Sequence, residues 1–403
     1  VLRAGKWLTG IGVVFLVLAL LWLLFGVPAV VRYPLDVDAT PRYEGTFTLF
    51  VDPDTFAPLE TPRTLPLTVT RHIDARGGES GFSEVLVAET IEIDAGGEFV
   101  STQENHYVMN RRSIENVADD RAFAFFPENV VDRSPAFRVN FPLGTDEKEY
   151  PIYKNEIGDS YTVAPDPAEP TGEIEGIDVI NFVASAGPLP ITQAYIDFLS
   201  ATVPLPESLT ITQLTPLLAS VGIDVPGTLA ALGPVIAPDD LEALSSLAAE
   251  PIGLVYLITF SGEDSVEPKT GGIVEVREVV ETISATAAPE ALPPIIEILG
   301  RYPEVPEAQE ALDGLTLLAD SPIPLFRNEF SQTPESVTDI AGEVKDQKDL
   351  VSLAERTVPL VLAGLGVVCG VVGLALLFFG MKAKPAPAGT AGAQPVEDSP
   401  DGT

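Results

Sequence analysis

The runs Leu254–Phe260 (LVYLITF) and Ile273–Ile283 (IVEVREVVETI) decide how this chain is read. Both are rich in β-branched and aromatic residues, and the segment between them includes Glu267-Pro268-Lys269-Thr270-Gly271-Gly272, so they read as two strands and a turn. The same signal occurs far upstream. Leu67, Val69 and Ile73 alternate with Thr68, Thr70 and His72, the period-2 pattern of a half-buried strand. Thr46–Val51 is rich in Phe, Thr and Val before Asp52-Pro53-Asp54 breaks it, and Ile91 and Ile93 alternate with Glu92 and Asp94 ahead of a hairpin at Ala95-Gly96-Gly97. Strands are therefore expected over about 44–183 and again over 254–283, where the later pair rejoins the earlier sheet.

Between these regions, 188–250 has a different character. Ile191, Tyr195, Phe198, Leu199 and Thr202 share a helical face, as do Leu229, Leu232 and Ile236, and then Leu241, Leu244 and Ala248. Asp239 and Glu242 have capping-box spacing. Seven prolines from Pro204 to Pro251 cut the block into short helices. A second helical patch covers about 289–320, and Thr333-Pro334-Glu335 starts a further helix. The expected fold class is α+β: a mostly antiparallel sheet under a helical cap. Ordinary core packing accounts for the cap's leucines, and so does an apolar groove for an acyl chain.

Both ends are apolar. Trp7–Val31 and Thr357–Met381 are uncharged runs of 25 residues, about 37 Å as helix and long enough to span a bilayer. Arg3 and Lys6 precede the first, and Lys382 and Lys384 follow the second. The positive-inside rule then puts both termini in the cytoplasm and exports the domain between. The layout is a cytoplasmic N-terminus (1–6), a first span (7–31), an extracytoplasmic domain (32–356), a second span (357–381) and a disordered cytoplasmic tail (382–403). The first run is longer than the core of a cleaved signal peptide and lacks a good cleavage site, so an anchor is expected. Gly366 and Gly370 form a GxxxG pair suited to helix packing against the first span or another protein.

The chain of 403 residues carries a formal charge of −36, and 155–268 contains no Lys or Arg but 17 Asp and Glu. Polyanions are repelled, so nucleic acid is excluded as a partner. A solvated acidic surface explains the charge equally well. The lone Cys369 lies in the second apolar run, which leaves the exported domain without a disulfide. With only His72 and His106, no metal or cofactor is expected. Nucleophile elbows, HExxH, P-loops and dinucleotide fingerprints are absent, and among 59 acids any chosen carboxylate pair is uninformative. No enzymatic activity is expected. The cations Arg111, Arg112, Arg121, Arg133, Arg138, Lys148 and Lys154 form either one basic patch or internal ion pairs with Asp119, Asp120, Asp132 and Glu147.

The ordered set Arg32-Tyr33-Pro34, Phe137–Thr145 (FRVNFPLGT), Tyr150–Tyr153 (YPIY), Gly172, Gly176–Val179 (GIDV) and Val266–Gly271 (VEPKTG) resembles the actinobacterial porin PorA family, two-span envelope proteins with a domain of unknown function. The resemblance covers nearly the whole chain, although the Pro-broken insert is longer than the family's usual one. It implies an inner-membrane protein facing the periplasm-like space of mycolate-containing bacteria. Some relatives are linked to trehalose mycolate traffic beside a large lipid exporter. The porin label itself does not fit two apolar helices, because a membrane β-barrel needs an outward apolar band on its strands. The expected function is binding or chaperoning of a neutral envelope glycolipid, with Phe141, Tyr195, Phe198, Leu214, Leu218 and Leu244 as candidate contacts. A non-enzymatic scaffold for cell-wall or division proteins is the alternative.

Overall fold

The computed structural model describes residues 1–220, 222–320 and 322–382. Beyond Lys382, the expected disordered tail and Lys384 lie outside the described residues.

The strand pattern is realised as β1 (Asp38–Ala39), β2 (Arg42–Val51), β3 (Pro58–Ala75), β4 (Glu84–Ala95), β5 (Phe99–Asn110), β6 (Phe123–Ala124) and β7 (Phe126–Val130). There follow β8 (Tyr150–Lys154), β9 (Asp159–Pro165), β10 (Thr171–Ile174) and β11 (Ile177–Pro190). After the insert come β12 (Ser208–Leu209), β13 (Ile252–Val266), β14 (Ile273–Ala287) and β15 (Ile323–Gln332). Among the described residues these 15 strands join one sheet, whose main path is β7-β6-β5-β4-β3-β2-β15-β14-β13-β11-β9-β8. Neighbours along it pair antiparallel. The pair that opened the analysis is β13 and β14, and β13 does return to β11, the last strand before the insert.

The sheet curls. Ile73, Val85, Val87, Tyr107 and Met109 from β3–β5 share one buried cluster with Tyr150, Ile152, Val163 and Phe182 from β8, β9 and β11. The segment 131–149 helps draw the two ends of the path together: Phe137 bridges Ile152, and Arg133 donates to the carbonyls of His106 and Phe123 at 2.9 and 2.7 Å. Outward positions on β3–β5 carry Thr68, Thr70, His72, Glu92, Asp94, Thr102 and Glu104. This is the reverse of the apolar outer band of a membrane barrel.

Two motif segments meet at one point of the domain. The Phe141 N–H donates to the Gly271 carbonyl at 2.9 Å, and the Gly144 N–H to the Lys269 carbonyl at 3.2 Å. Gly271 has φ +69°, and a Cβ there would stand 2.1 Å from the Phe141 carbonyl oxygen, so only glycine fits. The buried Glu267 carboxylate closes the turn, accepting from the Thr270 N–H and hydroxyl, each at 2.8 Å.

The helical crown consists of Gln193–Ser200, Ile211–Ser220, Val225–Leu232, Pro238–Ala249, Pro293–Leu299 and Pro306–Asp320. The insert starts later than the expected residue 188, because β11 continues to Pro190; the Thr192 side chain then caps the first helix by accepting from the Tyr195 N–H. Asp239 does not cap its helix. Ala237 holds the N-cap with Pro238 at N1, and Asp239 and Asp240 occupy the first turn. Pro334–Ser352 begins as expected after Thr333.

The apolar termini form a separate unit of two packed helices. Leu2–Leu21 buries Gly5, Gly12 and Ala19, and Val358–Lys382 buries Pro359, Gly366 and Gly373. Both sets repeat every seven residues, the spacing of a coiled-coil-like two-helix seam. A Cβ on Gly12 would lie 2.6 Å from the Gly366 carbonyl and from the Gly370 nitrogen. A Cβ on Gly370 itself meets nothing within 4 Å, so the close approach is set by Gly12 and Gly366. Each terminal helix has a π-helical turn at its end nearer the domain, Trp22–Gly26 and Leu353–Thr357, and the Trp22 indole donates to the Ala354 carbonyl at 2.9 Å.

Candidate functional site

The curled sheet encloses a cavity of about 200 Å³. Its walls follow from strand alternation, since residues two apart face the same way. Leu67, Val69 and Arg71 come from β3, Ile91 and Ile93 from β4, and Ile152 and Lys154 from β8. Phe260 and Asp264 come from β13, Asn328 and Phe330 from β15, and the segment before β8 adds Arg138, Asn140 and Phe141. On β14, Val276 and Glu281 both line the cavity, although a spacing of five puts residues on opposite faces of a regular strand. The register shifts between Ser261 and Glu263 opposite, and Glu278 takes φ +50°, so a bulge turns both inward. Tyr195 reaches the cavity from the first crown helix.

Most charge in this interior is compensated by a named partner. The buried Glu89 carboxylate accepts from Arg71 Nε, from the Tyr107 hydroxyl and, at 3.0 Å, from Asn105 Nδ2. Burial would raise its pKa, but Arg71 and Arg138 outweigh this and bring it down to about 2. Asn155 donates to the Tyr107 hydroxyl at 3.0 Å and accepts from Arg133 Nε at 2.8 Å. Lys154 Nζ lies 2.6 Å from Glu281 and 3.5 Å from Glu156. Burial disfavours that ammonium, yet Glu156 and Glu281 raise its pKa well above the ordinary lysine value. Asp264 lacks such a partner among the described residues. Burial pushes it up to about 6, against the pull of Arg71 and Arg138.

Around the cavity, Arg71, Arg138 and Lys154 thus face Glu156, Asp264 and Glu281, with the rings of Tyr43, Phe141, Tyr161, Tyr195, Phe260 and Phe330 among them. Arg71 Nη2, Arg138 Nε and Asn328 Oδ1 are buried and make no hydrogen bond among the described residues. A buried donor or acceptor left so costs about 1–3 kcal/mol. The cavity therefore offers free donors and a free acceptor beside aromatic faces. A smaller cavity of about 70 Å³ shares Tyr43, Arg71, Asn140, Ile273 and Val276 with it and continues to Ile340, Glu343, Val344 and Gln347.

The crown contains a different kind of space. A pocket of about 110 Å³ is lined by Leu218, Ile223, Leu229, Leu232, Leu244 and neighbours, and a second of about 40 Å³ by Phe56, Leu214, Leu217 and Leu325 among others. They share Ile211, Leu218, Ile252, Ile295 and Leu315.

The six candidate contacts do not form one groove. Leu214, Leu218 and Leu244 come together in the crown, whereas Phe141 and Tyr195 belong to the sheet cavity. Phe198 is buried beside Tyr195 and Phe125, with ring centroids 6.2 and 5.6 Å away, and lines none of these spaces. The basic residues also divide. Arg121 pairs with Asp119 at 2.8 Å, as an internal ion pair would, and Lys148 reaches Asp146. Arg133, Arg138 and Lys154 turn inward instead. The signal for the charged interior was Arg71, which stands at an inward position of the series Leu67, Val69, Ile73. Nothing in the spacing of Glu281 or Asp264 announced them.

The domain is thus a curled antiparallel sheet with an internal cavity, on a chain bearing two apolar helices long enough to cross a membrane. The chain matches the family model described as Porin PorA over residues 4–375 and belongs to that family. It is a membrane or envelope protein accordingly. No curated protein matches it.

Proposed function

We propose that the domain 32–356 faces the outer side of the plasma membrane, with both termini in the cytoplasm, and that it binds and shields a neutral envelope glycolipid of mycolate type without catalysis. The observation that carries this reading is the pairing of two spaces in one domain. The sheet cavity is charge-balanced, with unengaged donors, an acceptor and aromatic rings, which suits an uncharged sugar head. The crown pockets are walled almost wholly by aliphatic side chains, which suits hydrocarbon. Balance also argues against a phosphorylated head, for which unopposed arginines are the usual ligands.

The volumes set a scale. The larger crown pocket is smaller than the roughly 150 Å³ cavity that admits benzene, so it takes the end of an alkyl tail. A longer chain requires the short, proline-broken helices to part. Native mass spectrometry of the full chain is expected to show a co-purified or added trehalose mycolate, lost on Leu218→Trp, which fills the pocket. Empty protein that takes up no such lipid would overturn the reading. A lipid exporter or cell-wall membrane proteins are the proposed partners in delivery.

A further inference from the structure

Arg32 stands two residues beyond Val30, where the first apolar helix ends, so no more than about 7 Å of extended chain separates them. Its guanidinium lies 3.9 Å from the Phe82 ring centroid and donates to the Phe82 carbonyl at 2.7 Å. Phe82 is 73% exposed, in the glycine-bearing loop between β3 and β4. Arg111, in the turn after β5, donates to the Tyr33 carbonyl at 2.9 Å, and the Tyr33 N–H donates back to the Arg111 carbonyl at 2.7 Å. The loop tip, the turn and the chain's exit from the helix are thereby held together.

Among the described residues, Arg111 and Arg112 take part in no ion pair, unlike Arg71 and Lys154 of the sheet interior. Burial lowers the Arg111 pKa and so does the charge of Arg32. Arg112 is exposed. Of the acids around the β3–β4 loop, Asp74 and Glu79 are engaged by Arg76 at 2.8 and 3.9 Å. On a chain of charge −36, cations grouped around an exposed aromatic ring run against the general surface.

We propose that Phe82, Arg111 and Arg112, beside the start of the exported chain at Arg32, form a foot that rests in the interfacial layer of the bilayer, where Arg111 and Arg112 bind the phosphates of anionic phospholipids. Aromatic rings settle at that depth, and guanidinium groups take phosphate oxygens in bidentate fashion. An anionic membrane repels an acidic domain, and the foot gives that domain one face on which it can sit down. The proposal requires only that the first apolar helix spans the membrane; it is independent of any glycolipid bound elsewhere.

The test uses the full chain in nanodiscs of phosphatidylcholine, alone or mixed with phosphatidylglycerol, with hydrogen exchange followed at 77–84 and 110–114. Exchange is expected to slow in the anionic discs, by roughly fivefold per arginine, and the gain should vanish at high salt and in R111Q/R112Q. R112Q alone, which removes an exposed group with no ion pair, should lose about fivefold with exchange at 193–200 unchanged. Equal exchange in the two disc types, or a gain that survives both substitutions, would overturn the proposal.

Discussion

In the sheet cavity Lys154 meets Glu281 at 2.6 Å and Glu89 gathers Arg71, Tyr107 and Asn105. In the crown, Leu218 lines both pockets with Ile211, Ile252 and Ile295. The first region is held by partners that must all be present, because a buried charge is tolerable only while paired and hydrogen-bonded. The second is held by volume alone, and loses stability in proportion to what is removed. A long-strand scaffold suits the first, since β-pairing fixes each side chain's position; short helices suit the second, since they can shift. The difference teaches where each property of an amphipathic ligand would be read.

The largest expected effect is in the sheet. Glu89→Ala strands Arg71 and Arg138 without their carboxylate and should cost about 3–5 kcal/mol in denaturant unfolding. If the loss is under about 1 kcal/mol, residue-by-residue compensation is the wrong account of the interior. Leu218→Ala in the crown should cost about 2–3 kcal/mol, the low end for a buried leucine because space already exists beside it; a larger loss would mean that the crown is packed tight. Asp264 sharpens the comparison through pH. Its folded pKa, about 6, exceeds the ordinary 3.8, so its contribution is full below about pH 3.8 and is lost as pH rises through about 6. Asp264→Asn should therefore gain on the native chain by about 2 kcal/mol between pH 4 and 7, and no comparable slope should appear for any crown substitution. Glu89 has the opposite sign: its depressed pKa contributes stability that is present above about pH 4.5 and lost as pH falls toward 2. The smallest effect belongs to the outer surface. Arg63→Ala, which breaks a half-exposed pair with Glu98, should change stability by under about 1 kcal/mol.

Much of this architecture was legible, and for identifiable reasons. The alternation at Leu67–Ile73 and Ile91–Asp94 located β3 and β4, and the proline-chopped run after Ile191 located the crown. β15 was not seen. Its sequence, Ile323–Gln332, carries Pro324 and the polar run Arg327-Asn328-Glu329, which mask a strand that pairs with both β14 and β2 at the middle of the sheet. The site was less legible than the fold. Leucine periodicity found the crown pockets, but the sheet cavity is assembled from positions as distant as Arg71, Lys154 and Asp264, and a bulge at Glu278 was needed to turn Glu281 toward them. Long-range register of that kind leaves no trace in local spacing. The block 155–268 carries no cation of its own. Lys154 from the block's edge, and Arg71 and Arg138 from before it, fold back to neutralise the acids it contains.

The seven-residue repeat of Gly5, Gly12 and Ala19 against Pro359, Gly366 and Gly373 bears on what the apolar termini can recruit. Each helix turns one row of small residues to the other; outside that seam Gly10, Gly364 and Gly370 have open space where a Cβ would stand, among bulky neighbours such as Val13, Val14 and Leu20 on one helix and Leu360, Val368, Val371 and Phe379 on the second. A neighbouring helix seeking a glycine notch would find the seam at Gly5, Gly12, Gly366 and Gly373 filled, and only Gly10, Gly364 and Gly370 open to it among the described glycines of the two helices.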